Sequence, residues 1–281
     1  MQIIGIVNVT RDSFSDGGRY LNAPAAVEHA RRLLAEGATI IDVGAESTHP
    51  DAEDVPAAVQ IERLTPVVAA LKTAGASVSV DTYQAEVMRV MLALGVDYVN
   101  DVTALRDTAA VAAVRDSDVR LIIMHSTCAS ARAQRQSVAP TTIVARIEAF
   151  FAERIAELEA AGIRRERLIL DPGMGFFLGS DPQVSLEVLR NLRRLKAFGL
   201  PVCVSTSRKS FIGAMLGTPQ QPREVARRGA GTLATELWAL SQGVDYIRTH
   251  EVAALRDAVT IWEALANGPR DSTRPDHEEL R

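Results

Sequence analysis

Three carboxylates and an amide stand where short apolar runs stop. Asp81 closes Ser77-Val78-Ser79-Val80, Asn100-Asp101 close Tyr98-Val99, and Asp171 closes Leu168-Ile169-Leu170. Each alone reads as a turn residue or a helix N-cap. Together they form an arc of acceptors, which suits a planar ligand with several N–H donors, such as an aminopyrimidine or pterin ring. Asp171 also opens Asp171-Pro172-Gly173-Met174-Gly175-Phe176. A plain turn needs only one glycine and no aromatic, so this stretch favours a functional role. A metal site is the rival use of the arc, but no His-x-His or Glu-x-x-His spacing supports it. A second group is cationic: Ser205-Thr206-Ser207-Arg208-Lys209-Ser210 and Arg248-Thr249-His250. Hydroxyls, guanidinium, ammonium and imidazole suit an anion such as phosphate; the bland alternative is a solvated basic turn. Lys209 as a Schiff-base lysine would need a depressed pKa. His125, after Ile122-Ile123-Met124, reads equally as a hydrogen-bonded structural group or a catalyst.

All of these residues close short runs rich in branched side chains. Eight such runs recur: Ile3–Val9, Thr39–Gly44, Ser77–Val80, Tyr98–Val99, Leu121–Met124, Leu168–Leu170, Pro201–Val204 and Tyr246–Ile247. Between them lie segments of helical periodicity, clearest over Pro24–Glu36, Pro56–Ala74, Thr141–Ala161, Gln183–Phe198, Glu224–Ser241 and Val252–Ala266. Pro66 is expected to bend the second of these or start it afresh. Gly37, Gly95, Gly199 and Gly243 precede strands as helix stops. Eight strand–helix units predict an α/β fold, a single-domain (β/α)8 TIM barrel over residues 1–267. Such barrels carry their chemistry at the C-terminal strand ends, with phosphate sites after strands 7 and 8. Two polar loops, Thr10–Gly18 and Glu46–Ala52, fall on that face, where lids are usual. The tail, 268–281, is polar and is expected to be disordered.

The chain has 281 residues, close to the usual size of one such barrel, and a net charge of −4. That charge argues against a nucleic-acid partner, since backbone binding needs a basic surface. No apolar run reaches the roughly 18 residues of a membrane span. No basic n-region or cleavage site is visible at the N-terminus. Cys128 and Cys203 match no metal spacing. The expectation is a cytoplasmic protein with small-molecule partners, no nucleic acid and no membrane. The residues alone point to a phosphate- or diphosphate-bearing planar heterocycle held in a barrel mouth; they do not name the reaction.

The motifs in combination are more specific. Gly5-Ile6-Val7-Asn8-Val9-Thr10 followed by Asp12 to Gly18 resembles the opening signature of dihydropteroate synthases, and Ile41 to Thr48 resembles their second. Ser79-Val80-Asp81-Thr82, Asn100-Asp101-Val102, Met124-His125, Asp171 to Phe176, Ser207 to Phe211 and Arg248-Thr249-His250 follow in the family's order. The resemblance runs from Gln2 to about Ala266. It implies condensation of 6-hydroxymethyl-7,8-dihydropterin diphosphate with p-aminobenzoate to give 7,8-dihydropteroate and diphosphate. By the same resemblance Asp81, Asn100, Asp171 and Lys209 hold the pterin. Asn8, Arg248 and His250 face the diphosphate, with Asn8 also on a Mg²⁺ cofactor. Thr48, Phe176, Ser207 and Lys209 lie near p-aminobenzoate, and Phe14, Asp16 and His49 belong to mobile loops. Catalysis would rest on Asp81, Asp171, Lys209, Arg248 and His250, and the family implies a homodimer. A dissociative path suits these groups: carboxylates stabilise a methylene cation while cations take the charge of the leaving diphosphate.

Several positions depart from the common pattern of the family. His49 stands where arginine is usual, Arg11 where proline is frequent, Phe177-Leu178 where glycine and lysine are usual, and Ser205 where glycine is usual. His49 weakens the inference that its loop supplies a guanidinium. Some of these departures resemble the mobile, sulfonamide-insensitive members, whereas Gly44 to Thr48 stays nearer the chromosomal form. Two competing functions share the pterin pocket. A methyltetrahydrofolate-binding methyltransferase has no need of the Ser207–Lys209 and Arg248–His250 anion set. A non-catalytic pterin-binding paralogue is opposed by the intact Asn8, Asp81, Asn100, Asp171, Lys209 and His250.

Overall fold

The computed structural model describes residues 1–10, 23–128, 130–218 and 220–267. The sheet contains eight parallel strands: β1 Gln2–Asn8, β2 Ile40–Gly44, β3 Val78–Asp81, β4 Tyr98–Asp101, β5 Arg120–Met124, β6 Leu168–Asp171, β7 Cys203–Val204 and β8 Tyr246–Thr249. Their order is β6-β5-β4-β3-β2-β1-β8-β7. A parallel bridge between Leu170 and Val202, with the Leu170 N–H donating to the Pro201 carbonyl at 2.9 Å, joins the two edges. The expected (β/α)8 barrel is therefore what forms. These contacts nearly close the sheet, so its two edge strands, β6 and β7, face each other.

Alternation along the strands divides the apolar residues into two sets. Ile4, Ile40, Tyr98, Ile122, Ile169, Cys203 and Tyr246 pack together inside the barrel. Residues of the opposite parity, among them Val7, Ile41, Val43, Val80, Val99, Ile123, Leu170 and Ile247, join the larger cluster shared with the helices. Each such side chain contributes roughly 1.5–3 kcal/mol on burial. Because successive side chains face opposite ways, stepping two residues from an interior position returns to the interior. That step leads from Ile40 to Asp42, from Tyr98 to Asn100, from Ile169 to Asp171 and from Tyr246 to Arg248 and His250. Asp81 is register partner of Asn100 and shares its parity.

The helices are α1 Ala23–Ala35, α2 Ala57–Thr73, α3 Ala85–Ala93, α4 Thr108–Val114, α5 Pro140–Ala160, α6 Pro182–Asn191, α7 Ser210–Leu216, α8 Gly229–Ser241 and α9 Val252–Asn267. The four glycines expected to stop helices all have positive φ, from 67° at Gly199 to 109° at Gly37. Three expectations are corrected in whole or part. Helix α2 continues through Pro66, so of the bend or fresh start expected there the fresh start does not occur. The segment Gln183–Phe198 divides at Asn191 into α6 and a 3₁₀ stretch, because Leu192, Leu195 and Phe198 recur every three residues and share one face of a 3₁₀ helix. Glu224–Ser241 divides at Arg228, whose side chain turns back to donate to the Arg223 and Arg208 carbonyls, each at 2.8 Å. The tail 268–281 lies outside the described residues. Among those described, no helix is long and apolar enough to cross a membrane.

Candidate active site

The floor of the barrel mouth is a buried ion network. Arg248 donates from Nε to Asp42 Oδ2 at 2.5 Å and from Nη2 to Asp81 Oδ2 at 2.7 Å. Asn100 Nδ2 reaches the same Asp42 oxygen at 3.4 Å. The other Asp42 oxygen and the Ser79 hydroxyl are buried without a hydrogen-bond partner. Asp42 is not among the residues that the sequence singles out, and Arg248, expected toward the diphosphate, has its guanidinium on the floor between Asp42 and Asp81. One signal could have found Asp42: it is a charged residue at the inward parity of the run Ile40–Gly44.

Asp171 is set by its glycines. Its Oδ1 accepts from the Gly173 N–H at 2.8 Å, and its carbonyl accepts from the His125 N–H at 2.8 Å. Gly173 has φ 73°, and a β-carbon there would lie 2.3 Å from the His125 carbonyl oxygen; no other residue fits without moving the strand end. His125 is buried, with Nδ1 3.2 Å from the Pro172 carbonyl and its ring edge-on to Phe150. Burial holds its pKa down to about 4, so it is a neutral donor that fixes the Asp171 turn. Asp101 has turned away from the arc: it accepts from the Thr103 N–H and hydroxyl and from the Leu105 N–H, and so secures the next loop.

Burial raises the Asp171 pKa to about 6, against the opposing pull of the Gly173 N–H, Lys209 and Arg248. Burial also raises Asp81, and the neighbouring Asp42 adds to it; Arg248 opposes. The Lys209 ammonium is lowered by burial and by Arg248. Its Nζ lies 5.3 Å from the Phe177 ring centre. Thus three carboxylates, Asp42, Asp81 and Asp171, share two cations, and the floor favours a ligand that brings positive charge or N–H donors.

The opposite wall is made for an anion. The His250 N–H donates to Ser207 Oγ at 3.1 Å, and that hydroxyl lies 3.0 Å from His250 Nδ1. Burial, then Arg208, Arg248 and Lys209, hold the His250 pKa down to about 3. The ring is neutral, and Ser207 Oγ bridges its Nδ1 and the His250 backbone N–H. Arg208 takes a left-handed φ of 60°. Three contacts hold it there: its N–H to Thr232, its guanidinium to Glu251 at 2.5 and 3.0 Å, and its carbonyl to Arg228. Strain of this kind concentrates at functional sites. Here it points Ser207 and Lys209 toward the mouth.

Thr48, His49, Phe176, Ser207, Lys209, Arg248 and His250 line one cavity of about 760 Å³. Asp81, Asn100 and Asp171 lie at the strand ends beside it, with Arg248 bridging to Asp81. Asn8 ends β1 at the same parity as Ile4, in register with Gly44. Phe14 and Asp16 lie outside the described residues. The cavity also has a wall that the sequence did not signal. The connection from β5 to α5 contributes Arg135, whose guanidinium carbon lies 5.4 Å from the Phe176 ring centre. It is tied to the β2–α2 loop by the Ala133 N–H to the Thr48 carbonyl at 3.1 Å and by ion pairs Arg135–Asp51 and Arg132–Asp54.

The family model described as pterin binding enzyme matches residues 4–250. The Escherichia coli dihydropteroate synthase type-2 is 47% identical over 269 residues, covering 95% of this chain and 97% of that protein. The Xanthomonas albilineans dihydropteroate synthase solved with 4-aminobenzoic acid has a TM-score of 0.85 and 40% identity, covering 95% of this chain and 94% of that one. The same enzyme solved with 7,8-dihydropteroate has a TM-score of 0.83 and 38% identity, at the same coverage. An acceptor floor, an anion wall and a match across nearly the whole chain agree: this chain belongs to the pterin-binding enzymes, within the dihydropteroate synthase family.

Proposed function

We propose that this protein is a dihydropteroate synthase, joining 6-hydroxymethyl-7,8-dihydropterin diphosphate to p-aminobenzoate with release of diphosphate. The observation that carries the reading is the union, in one barrel mouth, of the Asp81–Asn100–Asp171 acceptors with the Ser207–His250 and Lys209–Arg248 donors. The ring N–H groups of the pterin meet the acceptors, and Lys209 takes its edge. The C–O bond to diphosphate breaks, the arylamine nitrogen forms the C–N bond, and that nitrogen loses a proton. Asp81 and Asp171 stabilise the positive charge on the methylene carbon, and His250 and Arg248 receive the leaving oxygens. For Arg248 this requires release from Asp81, whose place on the floor the pterin takes. Thr48, Phe176 and Ser207 bound the arylamine.

Magnesium fits this donor set. Among the described residues no group of three or more His, Cys, Asp or Glu is placed to hold a metal. A cation held by one neutral oxygen, that of Asn8, together with substrate phosphates and water matches what Mg²⁺ accepts. Bound there, it would neutralise charge on the leaving diphosphate. The exposed apolar residues Met215, Leu216, Val225, Trp238, Ile261 and Leu265 support a homodimer through the α7–α9 side; light scattering at twice the chain mass would bear this out, and a monomer would exclude it. The buried free thiols Cys128 and Cys203 suit the reducing cytoplasm.

We further propose discrimination against sulfonamides. Phe176, with His49 edge-on at 6.1 Å, and Ser205 shape the arylamine end of the cavity. A drug ring that extends past the substrate outline would meet them. An inhibition constant for sulfamethoxazole well above the p-aminobenzoate KM is expected; equal values would refute it. The function itself is tested by product analysis. Equal amounts of dihydropteroate and diphosphate are expected, whereas pterin binding without product would mark a non-catalytic relative.

A further inference from the structure

The anion wall has a back as well as a face. Arg248 and His250 have the inward parity, so Thr249 between them faces the helices, where it is fully buried. Thr206, beside Ser207, is fully buried too. Helix α8 lies behind both strand ends, and the stripe it turns to them is polar where a barrel helix is ordinarily apolar. Arg228, its N-cap, is followed by Thr232, Thr235 and Glu236 at steps of four, three and one, which places all of them on one face. The first of these residues hold the end of β7. Arg228 donates to the Arg208 carbonyl at 2.8 Å, Thr232 Oγ1 accepts from the Arg208 N–H at 3.0 Å, and Thr235 Oγ1 meets Thr206 Oγ1 at 2.9 Å. Glu236 faces the Thr249 hydroxyl at the end of β8. That hydroxyl accepts from the Glu251 N–H at 3.1 Å, and Glu251 grips the Arg208 guanidinium at 2.5 and 3.0 Å. The contacts thus run in a ring, from α8 to Arg208, Glu251, Thr249 and back to α8. Ser207 and His250 stand on its far side.

Glu236 is buried, and neither of its oxygens makes a hydrogen bond of good geometry. A buried acid of this kind costs stability, so packing does not account for it. Burial holds its pKa up to about 8, so at neutral pH it is an uncharged acid. It then offers Thr249 a donor and an acceptor and adds no negative charge behind a wall made for an anion.

We propose that Glu236 is a positioning residue for the diphosphate of the pterin substrate: through Thr249 it fixes the turn at the end of β8, and so the direction in which His250 and Ser207 meet the anion. The assignment rests on the synthase reading of the site and extends it to a residue that touches no substrate.

The test is calorimetry near neutral pH with two ligands, 6-hydroxymethyl-7,8-dihydropterin diphosphate and 6-hydroxymethyl-7,8-dihydropterin, the alcohol without the diphosphate. The proteins are the wild type, Glu236→Met, Glu236→Gln, Thr249→Val and the double variant Glu236→Met with Thr249→Val. Methionine keeps the volume of the side chain and removes its polar atoms. Glu236→Met should weaken the diphosphate about tenfold and the alcohol by less than about threefold, at a Tm no lower than that of the wild type. Thr249→Val should do the same, and the double variant should lose no more than either alone, because both act through one contact. Glu236→Gln, which keeps a neutral donor and acceptor in place, should bind both ligands as the wild type does. Equal weakening of diphosphate and alcohol would mark a general loss of packing and overturn the proposal. So would losses that add in the double variant, or a methionine variant that binds the diphosphate as the wild type does. Failure of the synthase reading looks different: a wild type that binds the alcohol as tightly as the diphosphate has no anion wall, and both readings fall together.

Discussion

At the scale of residues, the site works by an imbalance of charge. Asp42, Asp81 and Asp171 face Arg248 and Lys209, and burial raises Asp81 and Asp171 above the ordinary carboxylate range. The raised direction sets the sign of a pH effect. As pH falls through about 6, Asp171 takes up a proton in the free enzyme, ceases to be a charged acceptor and can no longer offset a developing cation. His250, held down to about 3, stays neutral over this range and adds no limb. Asp81, raised to about 7, protonates first, so kcat/KM for the pterin diphosphate should begin to fall below about pH 7 and fall more steeply below about 6; a profile flat from pH 8 to 5 would oppose this. Most of these residues were legible in the sequence because each interrupts or closes an apolar run. Asp42 was not, because it sits in mid-run, where only strand parity marks it as inward. Arg135 was not, because the connection between β5 and α5 has no periodicity and its relation to Phe176 exists only after folding.

At the scale of elements, the barrel holds its chemistry on strand ends and keeps its tension in a helix. The strands were legible because β-branched runs repeat, and α1, α2, α5, α8 and α9 because their apolar stripes are long, with a glycine stop agreeing after α1 and α8. The short α3, α4 and α7 carried too few turns for a stripe, and α6 gave way to a 3₁₀ stretch where the spacing of leucines changed from helical to threefold. Helix α8 contains an oddity that no pattern explains: Glu236 is 1% exposed, and neither carboxylate oxygen makes a hydrogen bond of good geometry. Burial raises its pKa to about 8, the Thr249 hydroxyl opposing and the Glu251 charge adding. A carboxyl whose folded pKa is raised favours the folded state below its unfolded value, near 4.5, and loses that advantage as pH climbs through about 8. Glu236→Gln should leave stability unchanged below pH 4.5. By pH 8 it should gain about 2–5 kcal/mol, read as a Tm higher by several degrees. A Tm difference independent of pH would show that Glu236 is not a buried neutral acid.

At the scale of the molecule, closure and catalysis have the same origin. Parallel strands must be covered on both faces, so one parity feeds the helix-facing core and the other fills the barrel. At the C-terminal end, where the filling stops, the inward parity becomes Asp42, Asp81, Asn100, Asp171, Arg248 and His250. The fold was legible from the repeat of units, and the arc from its strand ends. The contacts between loops, which give the mouth its shape, were not, since they depend on distant segments meeting. The central claim is that the floor carboxylates stabilise a cationic transition state. It is tested most directly by the single-turnover rate of dihydropteroate formation, with enzyme in excess over pterin diphosphate, in the wild type and in Asp171→Asn. The account predicts a variant of unchanged Tm that forms product about 10²–10³ times more slowly, the cost of one lost electrostatic contact in the transition state. A rate within a few-fold of the wild type would contradict it.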